Sequence, residues 1–127
     1  MLDVRASAPG SAELPGADTE RPIDLVHLAR MTLGDRSLER EVLQLFVRQA
    51  AVLLGRMNAA EPNAIAGLAH TLKGSARGLG AWRVAYAAEA VERAPDMAPD
   101  ALAAALSALR TIVEEAEAVI TELLRTN

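Results

Sequence analysis

Residues 102–123 read LAAALSALRTIVEEAEAVITEL, and their periodicity is the clearest sign of the fold class. Apolar residues recur there in alternating steps of four and three, which is the spacing of one helix face. The residues of this seam are Leu102, Leu106, Leu109, Val113, Ala116, Ile120 and Leu123. Such a seam packs against other helices in an antiparallel bundle or a coiled coil. The stretch therefore predicts a long last helix that begins around Pro99.

Two helices are predicted in the first half of the chain. Asp24 is a candidate N-cap for a short helix over about 25–32. Asp35 or Ser37 can cap a long second helix that ends near Asn58. The apolar residues that mark the second helix are Leu38, Val42, Leu45, Phe46, Leu53 and Met57. Their steps of three, four and seven predict an amphipathic helix with this set on its inner face.

Two more helices precede the last one. Pro62 suits the first turn of a third helix, which runs to about residue 78 and is stopped by Gly80. A fourth helix is predicted over about 81–94, before Pro95. The short connections make neighbouring helices antiparallel. The predicted fold is all-α, an antiparallel four-helix bundle with a short additional N-terminal helix.

Composition supports one helical domain and excludes several other classes. The chain has 127 residues, of which 51% are hydrophobic and only 2% aromatic. Ala and Leu dominate the apolar residues, and both favour helices. The absence of cysteine excludes disulfides and thiolate metal sites. A formal charge of −4 with scattered Lys and Arg argues against nucleic-acid binding.

The two ends of the domain and its location are predicted from local composition. Residues 1–21 are rich in Ala, Ser, Gly and Pro without periodicity, which predicts a disordered tail. Residues 22–127 then form the folded domain. No apolar run reaches the ~20 residues of a membrane span, and the N-terminus lacks the pattern of a secretory signal. We therefore expect a cytoplasmic protein that does not contact a membrane.

The predicted third helix, residues 62–79, reads PNAIAGLAHTLKGSARGL and carries the candidate functional site. On a helical projection one stripe must face the core, namely Ile65, Leu68, Ala69, Leu72, Ala76 and Leu79. His70 falls near the opposite side, among Ala66, Gly67, Gly74 and Arg77. This histidine is therefore expected to stand in solvent on a face with few bulky side chains.

The residue types around His70 suit phosphoryl transfer. A neutral imidazole is a good nucleophile near pH 7. Lys73, one turn on, repels imidazolium, favours the neutral form and can pair with phosphoryl oxygens afterwards. Gly67 and Gly74 each cost about 1 kcal/mol of helix stability relative to alanine, and on an exposed face they clear space for an approaching group. The sequence shows no base paired with this nucleophile, no metal cluster and no phosphate-binding loop.

The segments HTLKGSA at 70–76 and LGA at 79–81 resemble the signature of histidine-phosphotransfer (HPt) domains. The resemblance continues through the acidic and apolar positions of the next helix and extends back into the second helix, over about 23–124 in all. The further residues that carry it are Asp35, Phe46, Val84, Ala88, Val91 and Glu92.

The resemblance implies a phosphocarrier that is not itself an enzyme. Domains of this family are helical bundles that accept a phosphoryl group from a receiver aspartate, for example of a hybrid sensor kinase, and pass it to a response regulator. The receiver supplies the catalytic groups and Mg²⁺, so no cofactor is expected on this chain, which we expect to be monomeric. His70 would be phosphorylated, usually at Nε2, with Lys73 as its electrostatic partner and Gly74 and Ser75 as small supporting residues.

The partner-docking residues expected around this site are Ala66, Gly67, Thr71, Arg77 and Gly78. Arg77 and Trp82 are not fixed by the family pattern. Arg77 is equally well explained as a solvated charge, and Trp82 fits the edge of the core better than a partner anchor. His27 lies outside any motif and is expected to be structural or simply exposed.

Other functions remain open at this level. His70 could be an ordinary surface histidine on an alanine-rich helix. The chain could be an HPt-like scaffold or inhibitor that docks a receiver without being phosphorylated. A dimeric kinase core would need a following ATP-binding domain, which these residues do not contain. A plain helical module that self-associates through its last helix is the remaining alternative.

Overall fold

The computed structural model describes residues 21–126, which form five α-helices and one short 3₁₀ helix and contain no strand. The helices are α1 (Leu25–Met31), α2 (Arg36–Met57), α3 (Pro62–Leu79), α4 (Trp82–Arg93), the 3₁₀ helix Ala94–Asp96 and α5 (Ala101–Thr126). The all-α prediction is confirmed, with helix ends within about two residues of those predicted. The predicted tail, 1–21, lies outside the described residues except for Arg21.

Helices α2 to α5 form a four-helix bundle in which each packs against the next and α5 returns to α2. The centre of the α5 seam is buried, at Leu109, Val113, Ala116 and Ile120. The outer members of the seam are partly buried and pack against the same core, namely Leu102, Leu106 and Leu123. The seam predicted from the sequence therefore faces the bundle interior along its length.

The helix ends follow the predicted capping chemistry. The carboxylate of Asp24 accepts the backbone N–H of His27 at 3.1 Å, and that of Asp35 accepts the N–H of Leu38 at 3.0 Å. Asp35 is therefore the cap of α2, and Ser37 lies inside the helix. Each carboxylate satisfies one of the backbone donors that a helix leaves free at its start.

The inner face of α2 differs from the predicted one. Leu43 and Ala50, which were not predicted to face inward, are fully buried, whereas Leu38 and Leu45 are exposed. The buried set steps by three and four through Leu43, Phe46, Ala50, Leu53 and Met57, and this is the stripe that faces the other helices. Leu38 and Leu45 form a flank of the same helix and line a surface groove instead.

Helix α1 is attached to the turn between α3 and α4. The buried Asp24 donates its N–H to the Gly80 carbonyl at 2.9 Å and accepts the Trp82 indole N–H at 2.8 Å. His27 Nε2 donates to the Gly78 carbonyl at 3.1 Å, since a carbonyl oxygen can only accept. The rings of His27 and Trp82 meet edge to face at 4.9 Å between centroids. His27 therefore has the structural one of its two expected roles, and Trp82 lies at the edge of the core as expected.

Gly80 makes this junction possible, and we expect Gly80→Ala to destabilise the protein by about 1–2 kcal/mol. Its φ of +93° is left-handed, and an added Cβ would lie 3.1 Å from the Asp24 carbonyl and 3.1 Å from the His27 ring. Urea unfolding measures the loss. Gly78→Ala is the matched control, since a Cβ at Gly78 meets nothing within 4 Å. Equal stability of the two variants would contradict this explanation.

None of the helices within residues 21–126 combines the length and the apolar character needed to cross a bilayer.

Candidate functional site

His70 lies in the middle of α3 with its imidazole in solvent. The inner stripe of α3 is buried at Ile65, Ala69, Leu72, Ala76 and Leu79, and Leu68 is half-buried beside it. His70 projects from the other side, and 67% of its side chain is exposed. The predicted orientation is confirmed, and an incoming group has access to the ring.

One edge of the imidazole is held by a carboxylate from the neighbouring helix. His70 Nδ1 lies 2.7 Å from Oε2 of Glu92, near the C-terminal end of α4. His70 Nε2 makes no hydrogen bond with any residue of the described chain. The α3–α4 packing thus fixes the ring at Nδ1 and leaves Nε2 open.

Lys73 lies one turn after His70 and contacts the same carboxylate. Its ammonium is 2.7 Å from Oε1 of Glu92, and its side chain is only 12% exposed. Within the described chain Oε1 is buried and accepts no hydrogen bond of good geometry, so the ion pair compensates its charge. Lys73 is therefore paired with Glu92, a partner that the sequence did not predict.

The cluster His70–Lys73–Glu92 determines which ring nitrogen carries a proton in the hydrogen bond with Glu92. The Lys73 ammonium holds the pKa of Glu92 below its usual value; partial burial opposes this, and the hydrogen bond with His70 lowers the pKa further. An ionised carboxylate can only accept, so Nδ1 must carry the proton in this bond. In the neutral ring the free electron pair is then on Nε2, which is the open edge.

The face around His70 is formed by small residues. Gly67 and Gly74 are exposed, and a Cβ built on either would meet nothing within 4 Å. Thr71 is exposed and donates its hydroxyl to the Gly67 carbonyl at 3.3 Å, while Ala66 and Ser75 are half-buried. No neighbour within the described chain requires glycine at 67 or 74, so the fold itself does not explain either residue.

An apolar groove of about 290 Å³ lies beside this face. Ser75 and Gly78 of α3 form one wall, and exposed apolar residues of α1 and α2 form the other. Those residues include Met31, Leu38 and Leu45. The predicted docking positions on α3 thus continue into an apolar surface that the sequence did not predict. Arg77 is exposed on the His70 face itself.

Glu92 is the site residue that the sequence analysis missed. It was noted only as an acidic position of the family pattern, and its hydrogen bond with the histidine was not predicted. The available signal was its spacing, because Glu92 follows the buried Ala85 and Ala88 at seven and four positions and so falls beside the packed face of α4. A partly buried acidic residue there is stabilised by a cationic partner, which Lys73 of α3 provides.

The described residues contain no group of three or more His, Asp or Glu side chains placed to hold a metal ion. The site offers one nucleophilic nitrogen, one carboxylate and one ammonium. The carboxylate can keep the imidazole in the tautomer with the proton on Nδ1, and the cationic groups can stabilise a negatively charged group on the ring.

Comparison with known proteins gives the family. Residues 41–121 match the family model of the Hpt domain, which covers α2 from its second turn, all of α3 and α4, and most of α5. No curated protein and no solved structure gave a match. Hpt domains are phosphocarriers of two-component systems, where they interact with receiver domains and histidine kinases. The match includes His70, Lys73 and Glu92, and the chain belongs to the Hpt domain family.

Proposed function

We propose that the chain accepts a phosphoryl group on Nε2 of His70 from the aspartyl phosphate of a receiver domain and passes it to the aspartate of another. In the first step the Nε2 electron pair attacks phosphorus, the P–N bond forms, and the P–O bond to the receiver carboxylate breaks. The ring keeps its Nδ1 proton, and Glu92 offsets the positive charge that develops on it. The second step is the reverse, with the second receiver's carboxylate as nucleophile.

The observation that carries the proposal is the open Nε2 of a ring held at Nδ1. A nucleophile must present its electron pair to an approaching group, and preorganising the tautomer avoids a rearrangement during the reaction. Side-chain exposure of 67% permits in-line approach of a bulky donor. The receiver would supply the remaining catalytic groups and Mg²⁺, with the chain itself acting as carrier.

The surroundings of His70 support docking of a folded partner. The glycines at 67, 74 and 78 leave the surface of α3 around the ring without side chains that would keep a partner away. The groove beside Ser75 offers apolar surface. Exposed apolar patches of this kind typically mark protein interaction sites. We propose that a hybrid kinase receiver and a response regulator use this surface in turn, in the cytoplasm, with the chain as a monomer.

Transfer from an isolated phosphorylated receiver tests the proposal. The chain is incubated with a receiver carrying labelled aspartyl phosphate and Mg²⁺, and a second, unlabelled receiver is then added. We expect label on the chain that is lost in acid and retained in alkali, as for a phosphoramidate, and then label on the second receiver.

Two outcomes would contradict the proposal. Stable binding of the receiver without transfer of label would indicate the scaffold or inhibitor instead. Acid-stable label on the chain would place the phosphoryl group on a hydroxyl and not on His70. A separate measurement, sedimentation of the unphosphorylated chain, tests whether it is a monomer. Self-association through α5 would favour the alternative of a plain helical interaction module.

Gly74→Ala is expected to separate stability from transfer. Alanine should stabilise α3 by up to about 1 kcal/mol, because the added methyl meets nothing within 4 Å. Transfer from a receiver should slow by about tenfold, because the methyl stands one turn from His70 in the docking surface. Urea unfolding and receiver transfer measure the two effects. Faster transfer in the more stable variant would show that Gly74 does not clear space for a partner.

A further inference from the structure

Arg77 is a cation on the His70 face that the structure leaves unengaged. Its side chain is exposed and makes no hydrogen bond or ion pair with another residue in the described part of the chain. Lys73, the other cation on α3 near this face, is paired with Glu92 at 2.7 Å. A phosphoryl group on His70 would bring up to about two negative charges to this face, where Arg77 is the one α3 cation without a partner in the described residues.

The position of Arg77 suits contact with that group. It follows His70 by seven residues, so on an ideal helix the two Cα atoms are about 10.5 Å apart along the axis and about 20° apart in direction. Long helical side chains lean toward the N-terminus, which here means toward His70. Gly74 lies between them without a side chain, and Lys73 is turned to Glu92. The two α3 residues between Arg77 and the ring on this face, Lys73 and Gly74, therefore do not block the contact.

Lys73 is less well placed than Arg77 to contact a phosphoryl group on Nε2. Glu92 and Lys73 lie at the Nδ1 edge, whereas the phosphoryl group would be attached at Nε2. Moving Lys73 to the phosphoryl group would leave Oε1 of Glu92 buried without a partner. Glu92 is only 26% exposed, so losing its lysine partner is unfavourable even though the imidazole remains bonded to Oε2.

We infer that Arg77 pairs with the phosphoryl group on Nε2 of His70 and stabilises the phosphorylated chain, while Lys73 acts through Glu92. The inference rests on the proposed function, since it requires a phosphoryl group on His70. A guanidinium is suited to this role because it donates two parallel hydrogen bonds to phosphoryl oxygens. The alternative is a purely structural role, in which Arg77 only stabilises the C-terminal end of α3 through the helix dipole.

Phosphoramidate provides a test that needs no partner protein, because it transfers its phosphoryl group to imidazole and releases ammonia. The full chain is phosphorylated in this way, and the ³¹P resonance of the phosphohistidine is followed against pH. We expect Arg77→Gln to raise the apparent pKa of the phosphohistidine by about half a unit, the size that an exposed ion pair supports. Arg77→Lys should recover part of the shift.

Arg56→Gln is the matched control, because Arg56 is exposed on α2 and its side chain makes no contact described in the structure. It should leave the ³¹P titration unchanged. An unchanged titration in Arg77→Gln, with only a small change in thermal stability, would overturn the inference and leave the carrier function intact. Failure of His70 to take phosphate in the native chain would instead overturn the proposed function, and the inference with it.

Discussion

A chain with His70→Gln is expected to accept no detectable phosphoryl group while remaining as stable as the native protein. His70 is two-thirds exposed, so the substitution removes little packing. The glutamine amide can still donate to Glu92, which keeps the carboxylate partnered. An amide nitrogen has no available electron pair, so the nucleophile is lost. Label transfer from a phosphorylated receiver measures acceptance, and urea unfolding measures stability.

His27 provides the control for this substitution. Its Nε2 donates to the Gly78 carbonyl and its ring packs on Trp82, so neither the nitrogen nor its electron pair is open to an incoming phosphoryl group. His27→Gln should keep phosphoryl acceptance and lose some stability instead. Acid-labile label on His70→Gln would move the acceptor to another residue and remove the central assumption of the carrier mechanism.

Features that depend on interactions within one helix and its ends could be predicted from the sequence. Asp24 and Asp35 each cap a helix through their own side chains, and Gly80 ends α3 by adopting a left-handed conformation. The exposure of His70 followed from the buried stripe on the same helix, because the 3.6-residue period fixes both faces at once. These predictions needed only one element at a time.

Features that depend on how two helices pack against each other could not be predicted from the sequence. Leu38 and Leu45 lie on an apolar flank of α2, and the sequence contains two overlapping apolar stripes that periodicity cannot separate. Only the position of α3 and α5 decides that Leu43 and Ala50 are the buried ones. The junction of His27 with Gly78 is also invisible in the sequence, since it joins residues 51 positions apart.

The same limit explains the missed carboxylate. Glu92 is separated from His70 by 22 positions, and the contact depends on the turn at Gly80 that folds α4 back along α3. Lys73 was placed correctly on α3, but its partner could not be deduced from α3 alone. The structure adds an ion pair between the lysine and Glu92, at 2.7 Å, to the role that the sequence predicts for it.

Glu92→Gln is expected to slow phosphoryl transfer through His70 by about tenfold to a hundredfold. The carboxylate accepts from Nδ1 and cannot donate, which keeps the electron pair on Nε2. A glutamine amide can donate to Nδ1 and so stabilise the opposite tautomer, in which Nε2 carries a proton and cannot attack. The amide also lacks the negative charge that offsets the ring during transfer.

Two readouts distinguish this positioning role from a loss of folding. ¹⁵N shifts of the imidazole should show a proton on Nδ1 in the native chain and a mixture of tautomers in Glu92→Gln. The transfer rate, measured with a phosphorylated receiver, should fall without a matching fall in receiver affinity, because Glu92 is only 26% exposed and offers little surface to the proposed partner.

Glu89→Gln is the matched control, because Glu89 lies one turn earlier on α4 and pairs with the exposed Arg93 at 3.1 Å. Such an i,i+4 pair is worth only a few tenths of a kcal/mol, so this variant should transfer phosphate at the native rate. A native transfer rate in Glu92→Gln as well would mean that the ring chooses its tautomer without the carboxylate. The His70–Lys73–Glu92 cluster would then be an element of α3–α4 packing, and the reactivity of Nε2 would derive from exposure alone.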